Sequence, residues 1–151
     1  MQALAKEHEV TIAFSKAGKE VVSMYGYSKL IEKLSDGFIQ EEEQGHSSPM
    51  VCRLGRFDLI VVSPCTANTV AKIVYGIADS LVTNIVAQAL KSKRKVIVVP
   101  TDKKRDVETI IPSGKRIMIR CRDIDLENVE KIKSIEGVIV IKNPDEVKKL
   151  F

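Results

Sequence analysis

Short, continuous apolar runs alternate with helical patterns along this chain of 151 residues. The runs 10–14, 59–62 and 96–99 are rich in β-branched residues and predict buried strands, with one more over 138–141. Between them, apolar positions three and four residues apart predict helices over 16–25, 28–34, 66–75, 80–90, 126–135 and 144–151. Buried strands that alternate with helices indicate an α/β fold, with a mostly parallel sheet and helices on both faces.

Local signals complete this picture. The segment 36–55 is polar and punctuated by glycine, which predicts a surface loop with at most one edge strand. The segment 116–120 alternates with period two and predicts a more exposed strand. Asp79 is expected to cap the helix over 80–90, and its alternative role is a bridge to a neighbouring subunit or to the rim of the ligand. The length favours a single domain over residues 1–151.

Charge and cysteine content exclude several classes of protein. The formal charge is +4, but acidic residues are interleaved almost everywhere, which argues against a dedicated nucleic-acid binder. Basic clusters at 91–95 and 103–105 are either a solvated rim or a rim that attracts phosphate. Cys52, Cys65 and Cys121 form no C-x-x-C pair, so we expect no metal site and reduced thiols in a cytoplasmic protein. No run approaches the roughly 20 apolar residues of a membrane span.

Polar residues follow the predicted strands at the points where they end. Ser15 follows the first, the segment 63–69 follows the second, and Thr101 and Asp102 follow the third. Because the carboxyl ends of parallel strands meet at one edge, we expect these residues to converge around an anion or a flat polar ring. Asn68 offers both a donor and an acceptor to such a ring. The candidate cofactor-binding residues are Ser15, Ser63, Cys65, Thr66, Ala67, Asn68, Thr69 and Thr101.

Each candidate also has a purely structural interpretation. Ser15 and the hydroxyls of 63–69 are suited to helix caps and turns. Cys65 has no histidine partner in the pattern, which favours packing over nucleophilic catalysis. His8 is expected at the surface, and His46 lies in the loop, where a catalytic role is its less favoured interpretation. Whether Asn84 faces solvent or a neighbouring subunit stays open. We assign no catalytic residue, no acid–base role to Asp58 or Asp102, and no metal site.

Motifs of the common nucleotide-dependent enzymes are missing from the sequence. There is no G-x-G-x-x-G, G-x-x-x-x-G-K or G-x-S-x-G. The sequence therefore does not support phosphoryl transfer or hydrolysis by a catalytic triad. It leaves dinucleotide binding open, although the usual glycine-rich loop is missing.

The segments 63–69, 71–73 and 76–81 resemble the flavoprotein superfamily of homo-oligomeric flavin-containing cysteine decarboxylases, which also holds flavin prenyltransferases and archaeal electron-transfer flavoproteins. Residues 99–102, 126–131, 136–138 and 143–146 resemble its archaeoflavoprotein and dihydromethanopterin reductase subgroup. The resemblance implies a Rossmann-like fold and FMN bound between subunits of a homo-oligomer built from trimers. It places Ser15 near the FMN phosphate and ribityl chain, residues 65–68 around the flavin, and Thr101 beside it.

The sequence departs from this family at three places. Pro100-Thr101-Asp102-Lys103 replaces a Pro-Ala-Met-Asn type of substrate segment. The catalytic histidine of the decarboxylases corresponds to Met50, and His46 is out of register. Residues 1–6 resemble the end of the helix that follows a glycine-rich phosphate turn, so the first strand is expected to be missing and FMN binding to be weak or absent.

These departures favour electron transfer over decarboxylation. The leading expectation is an FMN-binding flavoprotein for electron transfer or for reduction of a small acceptor, a flavin-dependent oxidoreductase whose chemistry is that of the flavin. Its partners would be a redox protein donor or a pterin-type acceptor. The alternatives are a decarboxylase of a cysteine-derived substrate and an oligomeric scaffold without cofactor.

Overall fold

The computed structural model describes residues 6–33, 37–40 and 54–150. The chain order is β1 (Thr11–Phe14), α1 (Lys16–Met24), α2 (Ser28–Glu32), β2 (Gly37–Gln40), a 3-10 turn (Leu54–Arg56), β3 (Ile60–Cys65), α3 (Ala67–Val74), α4 (Leu81–Lys91), β4 (Val96–Pro100), β5 (Asp106–Ile110), β6 (Arg116–Arg120), α5 (Asp123–Ile132), β7 (Val138–Val140) and a 3-10 helix (Pro144–Leu150). The α/β alternation and the parallel strands are confirmed.

The strands form separate groups. β3, β4 and β7 make a parallel sheet in that order, with Ile60 opposite Val96 and Val96 opposite Val138. β1 and β2 form a parallel pair of their own, and β5 and β6 form an antiparallel hairpin. The division of the parallel strands into a triple and a pair was not predicted.

The core is built around β4, whose five residues are all buried. Val96 and Val98 face a cluster that includes Leu81 of α4 and Ile132 of α5. On the opposite face, Ile97 and Val99 pack against the C-terminal segment, where Ile141 and Val147 are buried. Burial of a strand on both faces explains why its sequence is a continuous apolar run. Along the described parts of the chain, no helix has the length and apolar character needed to cross a membrane.

Several predicted boundaries are corrected by the structure. Asp79 does not cap α4; the N-cap is Ser80, whose hydroxyl accepts from the Thr83 N–H at 3.3 Å. α5 begins three residues before the predicted start, because the Asp125 carboxylate reaches back to the Arg122 N–H at 3.1 Å and closes the first turn. The segment 144–151 was expected to be α-helical, but Pro144–Leu150 forms a 3-10 helix.

The other differences concern strands. β3 continues past residue 62 to Cys65, and β5 was not predicted at all. The edge strand expected within 36–55 corresponds to β2, whereas His46, Met50 and Cys52 lie outside the described residues.

Candidate functional site

The carboxyl end of β3 is shaped by a bulge. Val62 lies opposite Val98 and Cys65 lies opposite Pro100, so β3 has one more residue than β4 over this stretch. A bulge of this kind bends the strand and redirects its side chains. Ser63 is exposed by the regular alternation of β3, and the extra residue makes Cys65 the next buried position, with an exposed fraction of 0%.

The N-terminus of α3 follows directly, with Thr66 as N-cap. The Thr66 hydroxyl lies 3.2 Å from the Thr69 hydroxyl and makes no cap hydrogen bond to the helix backbone. The first N–H groups of a helix have no partner within the helix, and they carry the positive end of its dipole. Because no Thr66 oxygen caps them, they are available to an anion at this edge. Asn68, in the same first turn, is exposed.

Thr101 connects the end of β4 to the end of β3. Its N–H donates to the Cys65 carbonyl oxygen at 3.0 Å, and its hydroxyl lies 3.5 Å from the same oxygen. The structure therefore brings together Cys65, Thr66, Thr69 and Thr101, which the sequence placed on two different strand ends.

Ser15 is not joined to this group by any hydrogen bond within the described ranges. It caps α1, where its hydroxyl accepts from the Gly18 N–H at 3.0 Å, and it follows β1, which belongs to the separate parallel pair. α4 packs against both β1 and β3. The convergence of Ser15 with Thr66 and Asn68 therefore stays a prediction.

The Cys65 thiol belongs to the core and not to the open edge. Burial raises the pKa of Cys65 to about 12, because a thiolate would lose its solvation there. The thiol is thus protonated at neutral pH, which agrees with the packing role and not with a nucleophile. Any contact of this position with a ligand has to be made by its main chain.

A second thiol lies close to Asp102, a contact that the sequence did not reveal. The Cys121 thiol donates to the Asp102 carboxylate at 3.4 Å, and the Cys121 N–H donates to the Arg105 carbonyl at 2.8 Å. Burial and the neighbouring carboxylate raise the pKa of Cys121. Cys65 and Cys121 are both free and buried, as predicted for reduced thiols. The contact holds the base of the hairpin against the end of β4.

Asp79 and Asn84 both have hydrogen-bond partners within the chain. The Lys72 ammonium donates to the exposed Asp79 carboxylate at 2.8 Å, and this hydrogen bond lowers the pKa of Asp79. Asn84 is buried and its side-chain amide donates to the Ser80 carbonyl at 3.0 Å. His8 is exposed, as expected.

The basic clusters are partly engaged within the chain. The Arg94 guanidinium donates to the Gly55 carbonyl at 2.9 Å and also to that of Phe57. Lys103 donates to the Lys142 carbonyl, and Arg105 pairs with Asp123. For Arg94, Lys103 and Arg105, these contacts favour a structural role over the attraction of phosphate.

With this geometry in hand, comparison with known proteins identifies the family. The Flavoprotein family matches residues 1–151. This chain belongs to the Flavoprotein family. A protein of Methanocaldococcus jannaschii that is itself uncharacterized is 44% identical to this flavoprotein, over 95% of this chain and 78% of that one.

Two relatives of the flavoprotein have informative names. The dihydromethanopterin reductase (acceptor) of M. jannaschii is 34% identical, over 100% of this chain and 87% of its own length. Among solved structures, DmrB of Burkholderia xenovorans in complex with FMN has a TM-score of 0.78 and 29% identity, with coverage of 98% of this chain and 82% of that one. DmrB is described as a cubic protein cage for redox transfer.

Proposed function

We propose that this flavoprotein binds FMN at the carboxyl edge of β3 and β4 and uses it for electron transfer or for reduction of a small acceptor. The observation that carries the proposal is the N-terminus of α3, which lacks a side-chain cap and is flanked by the exposed Ser63, Thr66 and Asn68. The FMN complex of DmrB and the name of the related dihydromethanopterin reductase support the same assignment.

The residues at this edge suit the polar parts of FMN. The N–H groups from Ala67 onward would hold an anionic or strongly polar group at the helix N-terminus. The Asn68 amide would donate to and accept from the edge of a flat ring. Ser63, Thr66, Thr69 and Thr101 add hydroxyls around it, Cys65 contributes through its main chain, and Ser15 joins from the start of α1. When bound, FMN supplies the redox chemistry.

The assembly and partners belong to the same proposal. Copies of the chain associate with one another, as DmrB does in its cage, and the trimer is the building block implied by the family resemblance. The electron donor is a redox protein and the acceptor a small molecule of the pterin class. The whole chain acts as one domain, in the cytoplasm.

A titration of FMN against the purified protein, followed by quenching of flavin fluorescence, tests the proposal. The sharpest variant is Thr66→Val, because the Thr66 hydroxyl bonds to Thr69 and not to the helix backbone. Its loss should therefore spare α3. We expect Kd for FMN to rise about tenfold, which corresponds to about 1.4 kcal/mol for one hydrogen-bonding group. Combining Thr66→Val with Asn68→Ala should weaken binding further.

Thr109→Val is the matched control, because Thr109 is a half-buried threonine of β5, outside the proposed site. It should leave Kd unchanged. Equal affinities in Thr66→Val and Thr109→Val would remove the Thr66 hydroxyl from the site, and an unchanged affinity in the double variant as well would remove the first turn of α3. No quenching by the wild-type chain would favour the scaffold without cofactor. Carbon dioxide release from a peptide ending in cysteine, by the FMN-loaded protein, would favour the decarboxylase.

A further inference from the structure

The hairpin of β5 and β6 has two outer edges, and the hydrogen-bond pattern shows which groups point outward. Antiparallel strands alternate between residue pairs that exchange hydrogen bonds and pairs that do not. The Ile111 N–H donates to the Lys115 carbonyl at 3.0 Å, and the Cys121 N–H donates to the Arg105 carbonyl at 2.8 Å. The N–H and C=O groups of positions 115, 117, 119 and 121 therefore face β5. Those of positions 116, 118 and 120 point away from it, along the outer edge of β6.

The two edges differ in what covers them. On β5, the outward carbonyl of Ile110 accepts the Tyr25 hydroxyl at 2.9 Å. On β6, no strand pairs with the outer edge among residues 6–33, 37–40 and 54–150. β6 has neither a proline nor a bulge, and its Met118 and Ile119 are 66% and 44% exposed. A regular edge with no strand beside it is a template for pairing with another strand.

The sequence of β6 is its own complement. Arg-Ile-Met-Ile-Arg reads the same in both directions. If a second copy lies antiparallel across a two-fold axis at Met118, then Met118 faces Met118 and Arg116 faces Arg120. These are the positions whose backbone groups point outward, so each pair can exchange both N–H···O=C bonds. On the other face, Ile117 meets Ile119 of the second copy, and the two form an apolar cross-strand pair.

The charges on this surface are compatible with such a pairing. Arg116 and Arg120 of the two copies would lie opposite each other, which is unfavourable for the arginines alone. Each arginine, however, has an acidic neighbour on β5: the Glu108 carboxylate lies 3.5 Å from the Arg116 guanidinium, and Asp106 is the direct cross-strand partner of Arg120. Arg116, Arg120, Asp106 and Glu108 sum to zero charge in each copy, so the joined surface carries no net charge from these side chains, although the two arginines lie next to each other across the junction.

We propose that two copies of this chain associate through the outer edges of β6, forming a four-stranded antiparallel sheet across a two-fold axis at Met118. The inference deepens the self-association contained in the proposed function, and it names the contact. It does not depend on FMN, so the cofactor-free protein is the right sample for its test.

Met118→Pro is the sharpest test, because the Met118 N–H points outward and proline there removes no hydrogen bond within the hairpin. Ile110→Pro is the matched control, since the Ile110 N–H points outward on the opposite edge and the substitution removes no charge. The molar mass of each protein is measured by sedimentation equilibrium. We expect the wild type and Ile110→Pro to share one mass, and Met118→Pro to fall to a smaller species with association at least tenfold weaker. A monomeric wild type, or equal masses for the two proline variants, would overturn the proposal.

A cross-linking experiment covers the case in which Met118→Pro does not fold. Met118→Cys places two thiols opposite each other at a Cα separation of about 5.5 Å, which suits a disulfide. Arg116→Cys is the control, because position 116 meets position 120 of the second copy. Mild oxidation should link copies of Met118→Cys, whereas Arg116→Cys alone should stay unlinked. Equal cross-linking in both variants would overturn the register. A chain that cross-links but fails to bind FMN would refute only the proposed function.

Discussion

α1 and α4 begin in the same way and end up in very different surroundings. Each has a serine N-cap whose hydroxyl accepts an N–H three residues later, from Gly18 in α1 and from Thr83 in α4. α4 buries six residues, including Leu81 and Val86. α1 buries none, and its Val21 and Met24 are exposed although the helix is amphipathic.

The neighbours of the two helices explain the difference. α4 packs against β1, β3 and β4, whereas α1 packs against β1. A cap and an apolar stripe determine that a helix forms and where it starts, but most helical stability in a protein comes from burial of the stripe. We therefore expect the free energy of unfolding to reside mainly in β3, β4, β7 and the helices α3 to α5. The layer of β1, α1, α2 and β2 should contribute little.

The largest expected effect comes from a pair of leucine truncations. Leu81 is fully buried, with an exposed fraction of 0%, whereas Leu30 of α2 is 39% exposed. Leu81→Ala should lower the free energy of unfolding by roughly 2–5 kcal/mol, since it removes apolar contacts and leaves a cavity. Leu30→Ala should change it by only about 0.5 kcal/mol. Urea denaturation measures the free energy of unfolding of both variants. Similar losses would show that α2 and α4 contribute equally to stability, against the expected difference between the two regions.

A smaller effect should appear in alkaline solution, through the buried Cys65 at the end of β3. Folding raises the pKa of this thiol from 9.0 to about 12, so its protonated form is favoured in the native state. Its contribution to stability is complete below pH 9 and is lost as the pH rises toward 12. The slope is about 1.4 kcal/mol per pH unit in that interval.

Cys65→Ala should remove this slope while costing about 1–2 kcal/mol at pH 7 through the lost packing. Urea denaturation of both proteins at pH 7, 9 and 10 separates the pH-dependent contribution of the thiol from the loss of packing. An unchanged difference between wild type and variant across these pH values would show that the Cys65 thiol does not titrate with unfolding.

The sequence was sufficient for those parts of the fold in which local pattern and burial agree. β4 is predicted because all of its residues are apolar and both of its faces are covered. The residues after β3 and β4 could be named as a candidate site, because parallel strands place their carboxyl ends on one edge. That Thr101 would bond to the Cys65 carbonyl follows from this topology, although no motif marks it.

The parts that could not be predicted depend on contacts between distant residues or on competing local signals. β5 alternates weakly and exists as a strand because it pairs with β6. The thiol of Cys121 meets Asp102 across the base of that hairpin, and neither residue carries a signal of the other. Asp79 and Ser80 are both good capping residues, and the Thr83 hydroxyl, which accepts the Ser80 N–H at 3.0 Å, favours Ser80.

The smallest expected effect comes from removing the serine N-caps of α1 and α4. This pair of variants compares the two regions directly. Ser80→Ala removes a cap from a helix that is buried in the core, and it should lower the global free energy of unfolding by about 1 kcal/mol. Ser15→Ala removes the same kind of bond from α1. Because α1 contributes little buried surface, its cap should affect local fraying, seen as faster amide exchange in α1, without shifting the urea midpoint. If Ser15→Ala lowers the midpoint as much as Ser80→Ala, then α1 unfolds together with the core in one cooperative unit, and its exposed face must be stabilised by something other than contacts within a single chain.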